Sequence, residues 1–288
     1  MTQTRGWRPS PVWLVLASII SVQFGATFAK SLFGVVSPAG MAWLRMAIAF
    51  PLLLLIVRPR WRGRTGAEWR NVAIYGLTLG TMNFSIYQSF ARIPVGLAVT
   101  IEFLGPLAVA FTGIRRARDV VWIVLAAVGV ALLGWSPVVW DWAGIGWALL
   151  AAAGWAGYIV TSVPVGKTWE GISGVATGSG VGAILFAVPG VLGGGEAMWE
   201  PRVLGIAAVV AVLSSIIPYG LEMVALRSIK PSVFGILMSV EPAAAAGAAL
   251  IVLGELLTPV ELVAMACVIV ASVGATKTMG RASPASAG

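Results

Sequence analysis

Long apolar runs alternate with short polar breaks along this sequence, and each run has nearly the length of a membrane-spanning helix. Such a helix needs about 20 mainly apolar residues to cross the hydrocarbon core. Breaks at charge clusters, prolines and glycines separate ten runs, which cover Pro11–Val35, Ala39–Val57, Asn71–Ala91, Val95–Ile114, Val120–Val139, Trp142–Val163, Gly174–Leu192, Arg202–Leu226, Ser232–Leu253 and Pro259–Lys277. The pattern predicts an all-α integral membrane protein with ten transmembrane helices.

The composition supports this fold class and argues against several functions. Hydrophobic residues make up 59% of the chain and charged residues 10%, which leaves too few polar groups to coat a soluble protein. The net charge of +8 comes from cations placed between the apolar runs, and without one basic stripe a nucleic-acid partner is not expected. Since Cys267 is the only cysteine and histidine is absent, we predict no metal, no cofactor and no internal disulfide.

Lysine and arginine residues set the predicted orientation in the membrane. With the N-terminus in the cytoplasm, 15 of the 19 cationic residues fall on the cytoplasmic side, namely Arg5, Arg8, Arg58, Arg60, Arg62, Arg64, Arg70, Arg115, Arg116, Arg118, Lys167, Arg227, Lys230, Lys277 and Arg281. Arg92 and Arg202 fall outside, while Lys30 and Arg45 lie within runs. The positive-inside rule therefore places both termini in the cytoplasm.

The two halves of the chain carry a matching segment. Gly96 stands six residues before Glu102, Gly235 stands six residues before Glu241, and a proline precedes each segment. Five helices per half is an odd number, so two related halves enter the membrane in opposite senses, as in many secondary transporters. We predict an inverted repeat with a cytoplasmic tail at 1–10, repeats at 11–140 and 141–277, and a cytoplasmic tail at 278–288.

Five ionisable residues fall deep inside the apolar runs. An ionisable side chain near the bilayer centre costs about 2.5 kcal/mol or more and normally faces a cavity, a partner or a substrate path. The five are Lys30, Arg45, Glu102, Glu222 and Glu241. Simpler roles stay open for three of them: Lys30 and Arg45 can snorkel or pair with a carboxylate for structure, and Glu222 lies close to a helix end, where water reaches it.

Uncharged polar residues extend these positions along helix faces. Asn83, Tyr87 and Tyr158 share faces with small or polar residues three or four positions away, and they either line a polar cavity or make ordinary hydrogen bonds between helices. Three prolines also lie within runs. Each removes a backbone donor and leaves a carbonyl that cavity water or a ligand can use. They are Pro106, Pro218 and Pro242.

Six segments resemble the drug/metabolite transporter superfamily with its paired EamA-type domains, and within it the bacterial threonine and homoserine exporter group. They read FAKSLF (28–33), YGLTLGTMNFSIY (75–87), PVGLAVTIEFLGPLAVAF (94–111), IPYGLEMVALRSI (217–229), FGILMSVEPAAAA (234–246) and LGELLTP (253–259). The resemblance runs from about residue 11 to 276, and its specific part is the pair of glutamate motifs.

The resemblance implies export of small metabolites from the cytoplasm in exchange for protons, by a single two-repeat chain or a homodimer of it. On this likeness, five residues match positions in the motif blocks of the exporter group: Lys30, Asn83, Glu102, Glu222 and Glu241.

These observations lead to one mechanistic hypothesis. A zwitterionic amino acid such as threonine or homoserine enters a cavity between the halves, with its carboxylate near Lys30 or a helix N-terminus and its ammonium near Glu102 or Glu241. Protonation of one glutamate from the periplasm then weakens its hold on the ammonium and favours release. The candidate site is Lys30, Asn83, Tyr87, Glu102, Tyr158, Glu222 and Glu241, with Arg45 as a structural charge.

Three other functions fit a multi-span membrane protein. A purely structural subunit is disfavoured, because a scaffold gains nothing obvious from buried charges. An exporter of drugs, nucleosides or other metabolites fits the same architecture. A membrane-embedded enzyme would need a catalytic constellation, and the sequence has no histidine, no G-x-S-x-G elbow and no cluster of metal ligands. We therefore predict that the protein is not an enzyme and that its partners are a small-molecule substrate, protons and the lipid bilayer.

Overall fold

The protein is built from α-helices. The structure, a computed structural model, describes residues 10–112, 120–133, 141–226 and 228–282. These ranges contain no β-strand and form fourteen α-helices: α1 Pro11–Ser31, α2 Pro38–Ile56, α3 Gly66–Phe90, α4 Val95–Glu102, α5 Leu104–Thr112, α6 Val120–Leu133, α7 Trp142–Thr168, α8 Ser173–Leu185, α9 Ala187–Gly194, α10 Pro201–Ala211, α11 Ile217–Leu226, α12 Pro231–Met238, α13 Glu241–Leu253 and α14 Pro259–Ala282. A 3-10 turn, Glu196–Trp199, precedes α10, and a π-helical turn, Val212–Ile216, joins α10 to α11.

Many of these helices have the length and hydropathy of membrane spans. Seven stretches do within the described ranges: Pro11–Ser31, Pro38–Ile56, Val95–Thr112, Trp142–Thr168, Pro201–Leu226, Val233–Leu253 and Pro259–Lys277. An eighth results if α8 and α9, which meet at a bend of 58°, form one span. Val120–Leu132 is apolar but shorter, and α3 is long enough, at 25 residues, but is not among the seven apolar stretches. The all-α membrane class is confirmed, whereas the count of ten spans and the orientation stay predictions.

Helix boundaries differ from the predicted ones where local chemistry extends a helix. Helix α3 begins at Gly66, five residues before the predicted start, because Thr65 and Glu68 form a capping box at its N-terminus. Helix α7 continues past Pro164 to Thr168, and α14 continues to Ala282, into the predicted C-terminal tail. Several predicted features lie outside the described residues, namely the run ends Ile114 and Val139, the cations Arg5, Arg8, Arg115, Arg116, Arg118 and Arg227, and the tail segments 1–9 and 283–288.

Two of the predicted runs are interrupted near their middle, each at a glutamate. Helix α4 ends at Glu102 and α5 begins at Leu104, while α12 ends at Met238 and α13 begins at Glu241. Proline explains both breaks, because Pro106 has no N–H for the carbonyl of Glu102 and Pro242 has none for the carbonyl of Met238. Both carboxylates therefore lie where a helix is broken about halfway across.

Helices of each half of the chain pack on helices of the other half. Helix α3 of the first half packs on α7 and α8 of the second half, and α10 and α11 of the second half pack on α1 and α2 of the first. Helix α4 lies against α13, and α6 lies against α14. Each half therefore packs through several helices on the other half.

Glycine permits two of the closest helix approaches. A Cβ at Gly154 of α7 would lie 2.7 Å from the backbone nitrogen of Met82 in α3. A Cβ at Gly25 of α1 would lie 3.0 Å from the Cβ of Leu213 in the π-helical turn. Small residues at such crossings let helices pack closely in a bilayer, where lipid gives no hydrophobic force between helices.

Candidate functional site

A cavity of about 80 Å³ lies among α1, α2, α3, α4, α7 and α13. Its wall is partly apolar, with Phe90 and Trp155 among the larger side chains. Five polar or charged side chains also line it: Gln23, Arg45, Asn83, Glu102 and Glu241. The volume admits several water molecules or a small polar solute, and both halves of the chain supply lining residues.

Two carboxylates face this cavity. Glu102 is 8% exposed and Glu241 is 7% exposed. Oε1 of Glu241 accepts a hydrogen bond of 3.2 Å from Nε2 of Gln23, whereas its Oε2 has no partner in the described part of the chain. The helix breaks described above place both carboxylates at mid-span.

One cation, Arg45, borders the same cavity. Its Nη2 donates to the carbonyl of Ser214 at 2.8 Å and its Nε to Oγ of Ser215 at 3.5 Å. The side chain is 8% exposed. Among the described residues no carboxylate lies within 4.0 Å of its guanidinium, so Arg45 is held by neutral groups.

Several buried polar atoms near the cavity have no hydrogen-bond partner within the described ranges. Besides Oε2 of Glu241 they are Oε1 of Gln23, Oδ1 of Asn83, Oη of Tyr87 and Oγ of Ser214. Buried polar atoms are nearly always paired in native proteins, and an unpaired one calls for an explanation such as water, an ion or a ligand. Their concentration here indicates a site for a polar ligand.

Lys30 lies away from the cavity, at the end of α1. Its Nζ is 2.5 Å from Oε1 of Glu255 and donates to the carbonyl of Ile93 at 3.1 Å. Oε2 of the same glutamate accepts a hydrogen bond of 2.8 Å from the backbone nitrogen of Val95. We call this set the Lys30–Glu255 clamp: it joins the end of α1, the start of α4 and the turn between α13 and α14.

Glu222 belongs to a second polar cluster. Its Oε1 accepts a hydrogen bond of 2.5 Å from Oγ of Ser18. The rings of Tyr75 and Tyr158 have centroids 5.1 Å apart. Neither Tyr158 nor Glu222 belongs to the lining of the main cavity.

Tyr87 lies behind the cavity wall. Its ring packs against Phe33 and Phe90, with centroids 6.0 and 5.8 Å away, and the Cζ of Arg45 lies 5.9 Å from its centre. Tyr87 therefore supports Arg45 through a cation–π contact.

Three contributors were missed in the list of candidate residues. Gln23 lies seven residues before Lys30 on α1, so the two share a helix face, and this spacing could have indicated Gln23. Glu255 follows a glycine in the turn after α13, and an acidic residue at a predicted outer turn could have suggested a partner for Lys30. Ser214, which precedes Pro218 by four residues, could have been found as the carbonyl that this proline frees.

Comparisons with known proteins bear on the family of the chain and on its fold. Residues 142–276 match the EamA-like transporter family. The chain is 42% identical to the threonine/homoserine exporter RhtA of Escherichia coli strain K12 over 96% of each chain, and 42% identical to RhtA of Salmonella typhimurium strain LT2 over 95% of each. A protein of known crystal structure matches 94% of this chain and 99% of its own with a TM-score of 0.62. At 20% identity this last match supports the fold alone.

The resemblance seen in the sequence is thereby confirmed, and it extends over nearly the whole chain. Together with at least seven helices able to cross a bilayer, it shows that the chain belongs to the EamA-like transporter family and is a multi-pass inner-membrane protein.

Proposed function

We propose that the protein is a secondary exporter of small amino acids, such as threonine and homoserine, that works by proton antiport and alternating access. Its relatives are named as threonine/homoserine exporters. The observation that carries the proposal is the pair Glu102 and Glu241, two buried carboxylates that face one cavity at mid-span.

The polar lining of the cavity matches an amino-acid zwitterion. The ammonium group offers three N–H donors and a positive charge, and Glu102 and Glu241 offer acceptors and negative charge. Oδ1 of Asn83 and Oε1 of Gln23 are further acceptors without a partner in the described ranges. Met82, Ile86 and Trp155 supply an apolar wall for a short side chain.

Coupling to protons follows from competition for the same carboxylates. A proton and a substrate ammonium each bring one positive charge to Glu102 or Glu241, so binding of one weakens binding of the other. Protonation from the periplasm then releases the amino acid outward. Glu222 is hydrogen-bonded to Ser18, in the N-terminal half of α1. In the predicted orientation this half of α1 is nearer the cytoplasm, and we assign Glu222 to the proton route on that side.

Alternating access is supported by the way the halves pack. Transporters with inverted repeats move one repeat against the other around a site near the midplane. Here the packing of α3 on α7 and α8 has its counterpart in the packing of α10 and α11 on α1 and α2. A single chain supplies both sides of the cavity, so the proposed cycle needs no second copy, and the homodimer stays a prediction from the resemblance.

The proposal is tested by uptake of labelled threonine and homoserine into inside-out vesicles, whose lumen corresponds to the periplasm. An acidic lumen is expected to drive accumulation. Glu102→Gln should lower the gradient-driven rate by about tenfold or more, because it removes a charged partner of the ammonium. Glu170→Gln is the matched control, because Glu170 is an exposed carboxylate in the turn before α8, and it should transport normally.

Two results would contradict the proposal. Absence of uptake of both amino acids by vesicles that carry folded protein would exclude them as substrates and favour another metabolite, a drug or a nucleoside. Uptake that ignores the pH gradient, in the wild type and in Glu102→Gln alike, would exclude proton antiport.

A further inference from the structure

We propose that Arg45 is the group that binds the substrate's carboxylate, so that the site selects ligands with a free carboxylate next to an ammonium. This inference rests on the proposed function and deepens it. The sequence suggested Lys30 or a helix N-terminus for that carboxylate, and this inference replaces both with a different cation.

The backbone of the second half holds Arg45 in place. Pro218 has no N–H to give to the carbonyl of Ser214 four residues earlier, and the π-helical turn Val212–Ile216 widens the helix at this point. Nη2 of Arg45 donates to that freed carbonyl at 2.8 Å. The side chain is therefore fixed from one edge, and this leaves most of its five N–H donors for another partner.

The remaining donors face the cavity without a charged partner. Arg45 is buried and lines the cavity, yet no carboxylate in the described part of the chain comes within 4.0 Å of it. A buried cation that no carboxylate contacts is costly, and proteins that keep one usually use it. A guanidinium binds a carboxylate through two parallel hydrogen bonds, which is the geometry a planar substrate carboxylate offers.

The separation of charges across the cavity sets the orientation of the ligand. Glu102 and Glu241 line the same cavity as Arg45 but lie beyond ion-pair distance from it. A zwitterion spans such an arrangement, with its carboxylate at Arg45 and its ammonium toward the glutamates. An amine without a carboxylate would leave Arg45 unpaired, and the site should reject it.

Lys30 is excluded from this role by its own contacts. Glu255 neutralises it at 2.5 Å and the carbonyl of Ile93 accepts a further hydrogen bond from it. The described residues thus contain two deep cations, of which one is already paired and outside the cavity, and the other is unpaired and within it.

The test compares threonine with threoninol, which has a hydroxymethyl group in place of the carboxylate, as competitors of labelled threonine uptake in inside-out vesicles. The wild type should prefer threonine by about tenfold or more, because threoninol leaves the guanidinium unpaired. In Arg45→Gln the preference should fall toward one, and Arg45→Lys should keep part of it, because the charge remains and the two-pronged geometry is lost. Lys167→Gln, at an exposed position on α7, should keep the wild-type preference.

A second measurement guards against misfolding, because Arg45→Gln also leaves the carbonyl of Ser214 unpaired. The shift in melting temperature of purified protein on adding threonine or threoninol reports binding without transport. A wild-type shift by threonine alone that disappears in a folded Arg45→Gln supports the inference. A wild type that transports threonine, with the same preference retained in Arg45→Gln, overturns the role of Arg45 alone, whereas a wild type that neither binds nor transports threonine overturns the proposed function as well.

Discussion

At the scale of single residues, Asn83 illustrates how the cavity keeps polar atoms unpaired. Its Nδ2 donates to the carbonyl of Leu79 on the same helix at 2.8 Å, while its Oδ1 has no partner among the described residues. An unsatisfied buried polar atom costs about 1–3 kcal/mol. A ligand that donates a hydrogen bond to this Oδ1 is expected to remove that cost.

Replacing Asn83 with leucine should therefore separate stability from transport. Leucine has a similar volume and no unpaired acceptor, so Asn83→Leu should leave the melting temperature unchanged or raise it. The KM for threonine should rise by about tenfold, because one acceptor for the ammonium is lost. Thermal unfolding of the purified protein and vesicle uptake measure the two effects.

The matched control is Asn71→Leu, on the same helix but near its start, outside the cavity lining. It should leave the KM unchanged. Equal losses of stability and transport in Asn83→Leu would indicate that Asn83 only maintains the helix packing.

Residue patterns in the sequence could predict the polar faces of the helices but not which other helices pack against those faces. Asn83 and Tyr87 share a face of α3, and for both the sequence left a site role and a packing role open. In the structure Asn83 lines the cavity and Tyr87 lies behind it, against Phe33 and Phe90. Helical periodicity places two residues on one side, but only the packed partner helices decide which of them a ligand can reach.

At the scale of helices, α1 links the polar groups of both clusters along one axis. Ser18 contacts Glu222, Gln23 contacts Glu241, and Lys30 belongs to the clamp at the helix end. At about 1.5 Å per residue, Ser18 and Gln23 are about 7.5 Å apart along the axis, and Gln23 and Lys30 about 10.5 Å. Helix α1 thus makes polar contacts at three positions along its length.

The crossing of α7 over α3 should be sensitive to one methyl group. In Gly154→Ala the new Cβ would lie 2.7 Å from the backbone nitrogen of Met82, and backbone cannot move aside as a flexible side chain can. The overpacking should destabilise the protein by about 1–3 kcal/mol, seen as a lower melting temperature, and should also disturb the neighbouring Asn83.

Gly146→Ala provides the comparison on the same helix, because a Cβ there meets no atom within 4 Å. Alanine has the higher helix propensity, so this variant should be as stable as the wild type or slightly more stable. If Gly154→Ala behaved like Gly146→Ala, the close approach of α7 to α3 would be contradicted.

The sequence located helices well where hydropathy and prolines carry the information. It marked Pro106 and Pro242 as sites of freed carbonyls, and both helix breaks occur there. It missed the early start of α3, because the capping box at Thr65 extends the helix into a polar segment that a search for apolar runs discards. Hydropathy reports the part of a helix that is in lipid, whereas caps decide where the helix begins.

At the scale of the whole molecule, the Lys30–Glu255 clamp joins three segments, and in the proposed cycle these segments separate when the cavity opens on that side. In the predicted orientation this is the periplasmic side. Glu255→Gln would weaken the ion pair with Lys30, and we expect this to increase opening toward the periplasm.

Thiol labelling can measure this opening. With Cys267→Ser removing the native thiol and Ile86→Cys placing one in the cavity wall, a membrane-impermeant maleimide added from the periplasmic side should react faster in the presence of Glu255→Gln. Glu200→Gln, an exposed carboxylate at the start of α10, should leave the rate unchanged. Equal labelling rates in the parent protein, in the Glu255→Gln variant and in the Glu200→Gln variant would show that the clamp does not limit access to the cavity.

The sequence could suggest Glu255 as a partner for a deep cation, but it could not say which cation. Lys30 and Glu255 are far apart along the chain, and nothing in the local pattern says which of two deep cations a distant carboxylate neutralises. Insertion cost flags Lys30 and Arg45 alike. Only the fold shows that Lys30 is paired and that Arg45 is free of carboxylates within 4.0 Å in the described part of the chain.

The packing of each half on the other also has a consequence during biosynthesis. Ser18 and Gln23 of α1 find their partners 204 and 218 residues later in the chain. A ribosome adding about 5–20 residues per second needs about 10–40 s to deliver them. Throughout that interval the first helix must wait in the translocon or in lipid with its polar side chains unmatched, so a nascent chain truncated before α11 should be a preferred target for membrane quality-control proteases.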